Sequence, residues 1–154
     1  MKRILIDLDI LTNALWKGTL NAPAVQFLER VKTGEFVVYT PYVLLDLVNK
    51  WKNKNVADRI SEFYKLYSTE IITVEKLAKK LQETDADYEM LSKELTKITN
   101  KEDDSDLVLI SSLFALDYLV TFNRKHLQSK REQISAFLKG KGLDLIIVVL
   151  PNEI

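Results

Sequence analysis

The chain contains no cysteine, so neither disulfides nor thiolate metal sites can stabilise it. Its one histidine is His126, which leaves any metal to be held by oxygen ligands or by that single imidazole. No run approaches the roughly twenty apolar residues that cross a bilayer. The opening apolar stretch is only about four residues long before acids follow, unlike a signal peptide. These absences lead to the expectation of a soluble, cytoplasmic protein. Excess charge is missing too: 22 Lys and Arg balance 22 Asp and Glu. Zero net charge excludes tight non-specific binding of nucleic acid by bulk charge alone, but leaves local patches open. No internal repeat, linker or low-complexity tract interrupts the sequence, which we read as one domain spanning residues 1–154.

What is present is an ordinary globular composition, 47% hydrophobic and 29% charged, arranged as strands alternating with helices. Residues 3–8 are short, branched and apolar on both faces, as in a buried parallel strand. A helical pattern follows through Leu11, Ala14 and Leu15, with Gly18 as its stop. Asn21-Ala22-Pro23 opens a second helix with a cap and an early proline. Its apolar residues Ala24, Phe27, Leu28 and Val31 keep helical spacing until Gly34. Residues 36–39 form the second strand, and Thr40-Pro41 caps a helix with the stripe Leu44, Leu47, Val48 and Trp51. After a turn at 52–55, a further helix carries Val56, Ile60, Phe63, Tyr64 and Tyr67. Residues 71–74 make a short third strand. Two helices, broken near Thr84-Asp85, reach Thr99. A polar lip, Lys101 to Asp106, precedes a helix from Leu107 to Leu116 that is apolar nearly all round and therefore buried. Residues 118–122 are the fourth strand, Asn123 caps a basic helix, and 145–150 form the last strand before Pro151. The pattern predicts an α/β fold: a three-layer α-β-α sandwich with a central parallel sheet of about five strands.

Acids at element ends, in apolar surroundings, are the candidate chemistry. Asp7 closes the first strand, with Asp9 two residues on. Asp46 interrupts an apolar turn of helix, Asp104 and Asp106 open the buried helix, and Asn123 follows the fourth strand two residues past Thr121. Burying carboxylates without partners costs several kcal/mol each, roughly, so acids sharing one mouth repel unless a cation sits among them. Mg²⁺ or Mn²⁺ suits such an all-oxygen, water-rich site, and a pair of ions about 4 Å apart serves phosphodiester hydrolysis. Each residue also has a plain structural use. Asp7 can cap the following helix, and Asp46 can pair with Lys50. The Asp103–Asp106 cluster can complement the helix dipole, Asn123 can be a cap, and His126 can be a surface or cap-contacting side chain.

In this order the residues resemble the PIN-domain family, metal-dependent ribonucleases that include VapC-type toxins. Ile4-Leu5-Ile6-Asp7-Leu8-Asp9 is similar to the family's opening strand, which ends in Asp-Thr-Asn. Thr40 to Leu47 resembles its helix after the second strand, with Asp46 where a Glu is usual. Asp104, seventeen residues before Thr121, matches the third acid. Asp117 to Leu127 carries the most specific piece, similar to a branch that writes Thr-Phe-Asn at the fourth strand. The resemblance implies Asp7, Asp46 and Asp104 as catalytic, metal-binding acids, with Asn123 at a fourth position and Thr121 helping through its hydroxyl. Asp9 and Asp106 would be accessory. It implies a central first strand beside the fourth, endonucleolytic cleavage of RNA, a homodimer, and for toxin members a small antitoxin partner. The sequence departs from the pattern where Asp46 is one methylene short, where Leu8-Asp9 replaces Thr-Asn, and where Asn123 brings no charge. Lys50, Lys52, Arg124 and Lys125 stand in basic clusters able to grip RNA phosphates.

Two other functions fit parts of the chain. Asp7-Leu8-Asp9 also fits the Asp-x-Asp opening of HAD-type phosphatases, in which the first Asp is the nucleophile and the second a general acid. A catalytically weak PIN-like scaffold that binds RNA or protein is the non-enzymatic alternative.

Overall fold

Ile4, Leu5 and Ile6 are fully buried, and the strand they build, β1 (Arg3–Ile6), is the centre of the sheet. The computed structural model describes residues 1–16 and 21–154; Gly18, expected to end the first helix, lies outside the described residues. Helices α1 (Leu8–Leu15) and α2 (Ala22–Lys32) lead to β2 (Val37–Pro41), and α3 (Tyr42–Asn49) and α4 (Lys54–Tyr67) to β3 (Glu70–Ile72). Then come α5 (Val74–Thr84), α6 (Tyr88–Thr99) and α7 (Glu102–Leu113), followed by β4 (Tyr118–Val120), α8 (Arg131–Gly140) and β5 (Ile147–Val149).

All strand pairs are parallel, in the order β3-β2-β1-β4-β5. Ile4 pairs with Val38 on one side and Tyr118 on the other, and Ile6 faces Val120. Strands buried on both faces need continuous apolar sequence, which explains why β1 reads Ile-Leu-Ile without alternation. Helices α1–α4 pack among themselves, and α5–α8 likewise, giving the two outer layers of an α-β-α sandwich. The expected fold class and the central place of the first strand are therefore observed. The order of strand addition reverses between β1 and β4: earlier strands lie to one side of β1, later ones to the other. In open α/β sheets, the crevice at the carboxyl ends of such a strand pair is where ligands sit. Among the described residues no helix is long and apolar enough to cross a membrane.

Several boundaries differ from the sequence reading. The first strand ends at Ile6, not Leu8, because Asp7 leaves the sheet as the N-cap of α1. Thr40 does not cap α3; its hydroxyl lies 2.6 Å from Ser68 Oγ, and the cap position falls to Pro41 without a side-chain bond. The third strand stops at Ile72, since Thr73 accepts from the Lys76 N–H and caps α5. The acidic lip is itself the first turn of α7, where Glu102, Asp103 and Asp104 complement the helix dipole. The basic helix after the fourth strand begins only at Arg131. Asn123 instead accepts from the His126 N–H at 3.0 Å, closing a local turn.

Candidate functional site

Two backbone ends create the site. Asp7 N–H donates to Val120 O at 2.9 Å, so the residue after β1 is tied to the last residue of β4. From there Asp7 Oδ1 accepts from the Leu8 N–H at 2.7 Å, and Oδ2 accepts from Thr121 Oγ1 at 2.7 Å. Asp9, in the first turn of α1, reaches across to the same place. Its carboxylate accepts from the Phe122 N–H at 3.2 Å and lies 3.3 Å from Thr121 Oγ1. The Thr121 oxygen also accepts from the Asn123 N–H at 3.0 Å. One hydroxyl carries one proton, so it cannot serve both carboxylates at once. The acid it does not serve is left with its backbone donor, Leu8 N–H for Asp7 or Phe122 N–H for Asp9.

Tyr64 supports this corner from below. Its buried Oη donates to Ile6 O at 2.8 Å, fixing the carbonyl immediately before Asp7. Burial, and then the charges of Asp7 and Asp9, push the phenol well above its ordinary range, so it stays a proton donor.

The third acid arrives on α7. Buried Ser105 sits 2.9 Å from Thr96 Oγ1 and 2.8 Å from Thr99 Oγ1, which docks the start of α7 onto α6. That placement turns Asp104 inward, where its Oδ2 accepts from Asn123 Nδ2 at 3.0 Å. Because Asn123 Oδ1 is engaged by His126 N–H, the amide has one orientation and presents its NH₂ to Asp104. His126 Nδ1 in turn lies 2.7 Å from Thr99 O, a carbonyl that only accepts, so this nitrogen carries the proton. The histidine is a strut between α6 and the loop after β4, as its solitary place in the sequence suggested.

Asp7, Asp9, Asp104 and Asn123 line one cavity of about 260 Å³, together with Thr12, Lys101 and Asp103. The rest of its wall is apolar, from Leu8, Leu107 and residues of α3. Burial, then the charge of Asp9, raises Asp7 to about 7, against the pull of the Thr121 and Leu8 hydrogen bonds. Burial likewise raises Asp9 to about 6, opposed by the Phe122 N–H and Thr121. Asp104 is raised by burial and partly relieved by Lys101. Neighbouring buried carboxylates with raised values are where a cation, a proton or a substrate donor would be most strongly held.

The donor set is all oxygen, which suits Mg²⁺ or Mn²⁺ in kind. Among the described residues no group of three or more Asp, Glu, His or Cys side chains stands ready to hold a metal ion. Asp7 and Asp9, which both approach the Thr121 hydroxyl, are the pair that could hold a hydrated ion, in the manner of Mg²⁺ on one or two carboxylates with water.

Two expected members of the site lie elsewhere. Asp46 is exposed on α3 and does not line the cavity. It stands two residues from both buried Leu44 and Val48, about half a turn from the face they define. Asp106 is half-buried beside α6 and accepts from Tyr88 Oη at 2.7 Å. Burial, then the charges of Asp106 and Asp46, raises the Tyr42 hydroxyl, and neither acid lines the cavity. Lys50 and Lys52 are exposed beside the cavity-lining Trp51, while Arg124 and Lys125 are exposed just after Asn123. Sequence reasoning gave no role to Lys101, the only cation lining the cavity among the described residues. Its position three residues before Asp104 was the available signal.

Comparison of the chain with protein-family models, curated proteins and solved structures gave no match.

Proposed function

We propose that this protein is a divalent-metal-dependent ribonuclease of PIN-like design, hydrolysing RNA phosphodiester bonds at the β1–β4 mouth. The observation that carries the reading is the convergence of Asp7, Asp9 and Asp104 on one cavity at the point where the strand order reverses. Asp7 and Asp9 would hold Mg²⁺ or Mn²⁺, whose contribution when bound is to neutralise charge on the phosphoryl oxygens and to acidify water. Thr121 keeps Asp7 aimed through its hydroxyl. Lys101 brings positive charge for a phosphate. Asp104 has its Oδ2 held by Asn123, leaving Oδ1 to orient a water and take its proton. With Asp46 on the flank, the role expected of a third ligand passes to Asp9.

A second reading rests on that same shift. A phosphatase with Asp7 as nucleophile and Asp9 as general acid also wants both carboxylates in the cavity. Against it, both Asp7 oxygens already accept hydrogen bonds, which damps nucleophilicity. Labelled single-stranded RNA and p-nitrophenyl phosphate, each with Mn²⁺ and with EDTA, separate the two. The nuclease reading expects internal, EDTA-sensitive cleavage of RNA that Asp7→Asn abolishes. Turnover of the phosphomonoester alone, or cleavage indifferent to Asp7→Asn, overturns it.

A further inference from the structure

The cavity has a wall that a cation-and-phosphate centre does not need. Besides the acids, the cavity is lined by Val43, Leu44 and Leu47 of α3, by Leu8 and Leu107, and by Trp51 just past α3. Trp51 is half-buried, packs against the core and lines the cavity. The residues on either side, Lys50 and Lys52, are exposed cations. A ligand matching this cavity has a flat apolar part and an anionic part joined at short range, with further negative charge running past the rim. A nucleotide within a single strand has that form, and aromatic side chains interleaved with lysines are the usual way proteins hold one. A duplex keeps its bases stacked inside and has no face to offer an indole.

We infer that Trp51, backed by Val43 and Leu47, is the stacking platform of a base subsite that holds one unpaired nucleobase next to the acidic mouth. RNA is taken from the nuclease reading on which this inference rests; what the subsite adds is the need for an accessible base beside the phosphate. Lys50 and Lys52 lie where the phosphates flanking that base would pass. The subsite is sequence-tolerant, because every base has a π face.

Trp16 and Trp51 are the two tryptophans, so in Trp16→Phe protein the fluorescence reports Trp51 alone. That protein is titrated, in Ca²⁺ as an oxygen-seeking cation, with a single-stranded oligoribonucleotide and with an abasic ribose-phosphate strand of equal length. The intact strand should quench the indole and bind about 5- to 150-fold more tightly than the abasic one, the range of base–aromatic stacking. In the wild-type background, Trp51→Leu should lose that factor for the intact strand and nothing for the abasic strand. Trp51→Phe, which keeps an aromatic face, should retain part of it and guards against a packing defect in the leucine variant. Equal affinity for the two strands, an unchanged Trp51→Leu, or no binding of either strand overturns the subsite. Cleavage with Mn²⁺ that persists while base and Trp51 make no difference would sink the subsite and leave the nuclease reading standing. Base-dependent quenching in a protein that never cleaves would do the reverse.

Discussion

Two groups of acids in this molecule look alike in sequence and differ in circumstance. Asp7, Asp9 and Asp104 point into the mouth of β1 and β4, where burial raises all three and one threonine hydroxyl stands between two of them. Asp46 and Asp106 lie on the flank of α3 and α7, one exposed and the other satisfied by Tyr88. Solvent screens the charge of Asp46; burial raises Asp106 as well, with the Tyr88 hydroxyl opposing it, but Asp106 does not line the cavity. The mouth acids are opposed in the same way, by Thr121, Leu8, Phe122 and Lys101, and what sets them apart is that they share one cavity. Buried carboxylates gathered in one cleft are where chemistry is expected, so the first group is the candidate centre.

The largest expected effect tests that division directly. Asp7→Asn should lower Mn²⁺-dependent RNA cleavage by at least about a hundredfold, whereas Asp46→Asn should leave it within about threefold. Equal losses in the two variants would place Asp46 in the centre and break the comparison. Next comes Thr121, the hydroxyl shared by the pair. Thr121→Val should cost about 10- to 100-fold in metal affinity or activity, the usual range for a group that orients a ligand. Thr121→Ser should recover most of it. A valine variant that binds Mn²⁺ normally would show that the hydroxyl positions nothing.

Proton linkage gives a third contrast that needs no substrate. Asp7 and Asp9 are raised from 3.8 to about 7 and about 6, so the folded chain binds these protons more tightly than the unfolded chain. Their contribution to stability is therefore most favourable near the unfolded value and declines as pH rises from about 4 towards 7. In EDTA, the melting temperature should fall between pH 5 and pH 8, reflecting a loss of at least about 1 kcal/mol. Mn²⁺, which binds the ionised acids, should restore it at pH 8 and do little at pH 5. Asp7→Asn should flatten both responses, and Asp46→Asn neither. A metal-free melting temperature that rises with pH would contradict the burial argument.

The sheet was legible because buried parallel strands need continuous apolar runs, and β1, β2, β4 and β5 each supply one. Asp7 was legible for the same reason, as the first charge after such a run. Its two readings, cap and candidate ligand, turn out to be compatible, since Oδ1 serves Leu8 while Oδ2 faces Thr121. Asp46 was singled out by its apolar neighbours and not by its angle on the helix. Counting from Leu44 and Val48 already turns it away from the core face. The rank of Asp9 could not be read locally, because its partners Thr121 and Phe122 lie more than a hundred residues on. Only the adjacency of β1 and β4 brings them together.

The smallest contrast concerns the two tyrosines that serve the two regions. Tyr64 Oη is buried and satisfies Ile6 O, the carbonyl before Asp7, whereas Tyr88 Oη meets Asp106 at a partly exposed site. Removing the first hydroxyl leaves a buried acceptor without a partner, which costs about 1–3 kcal/mol. Removing the second leaves a carboxylate that water can reach, so the loss should stay near 1 kcal/mol or below, roughly. Chemical denaturation should accordingly rank Tyr64→Phe well below Tyr88→Phe in stability. Only the former should also weaken Mn²⁺ binding, because it alone loosens the strand end that aims Asp7. Equal destabilisation with unchanged metal affinity would mean that the mouth holds its shape without Tyr64, through the β1–β4 pairing and Thr121 alone.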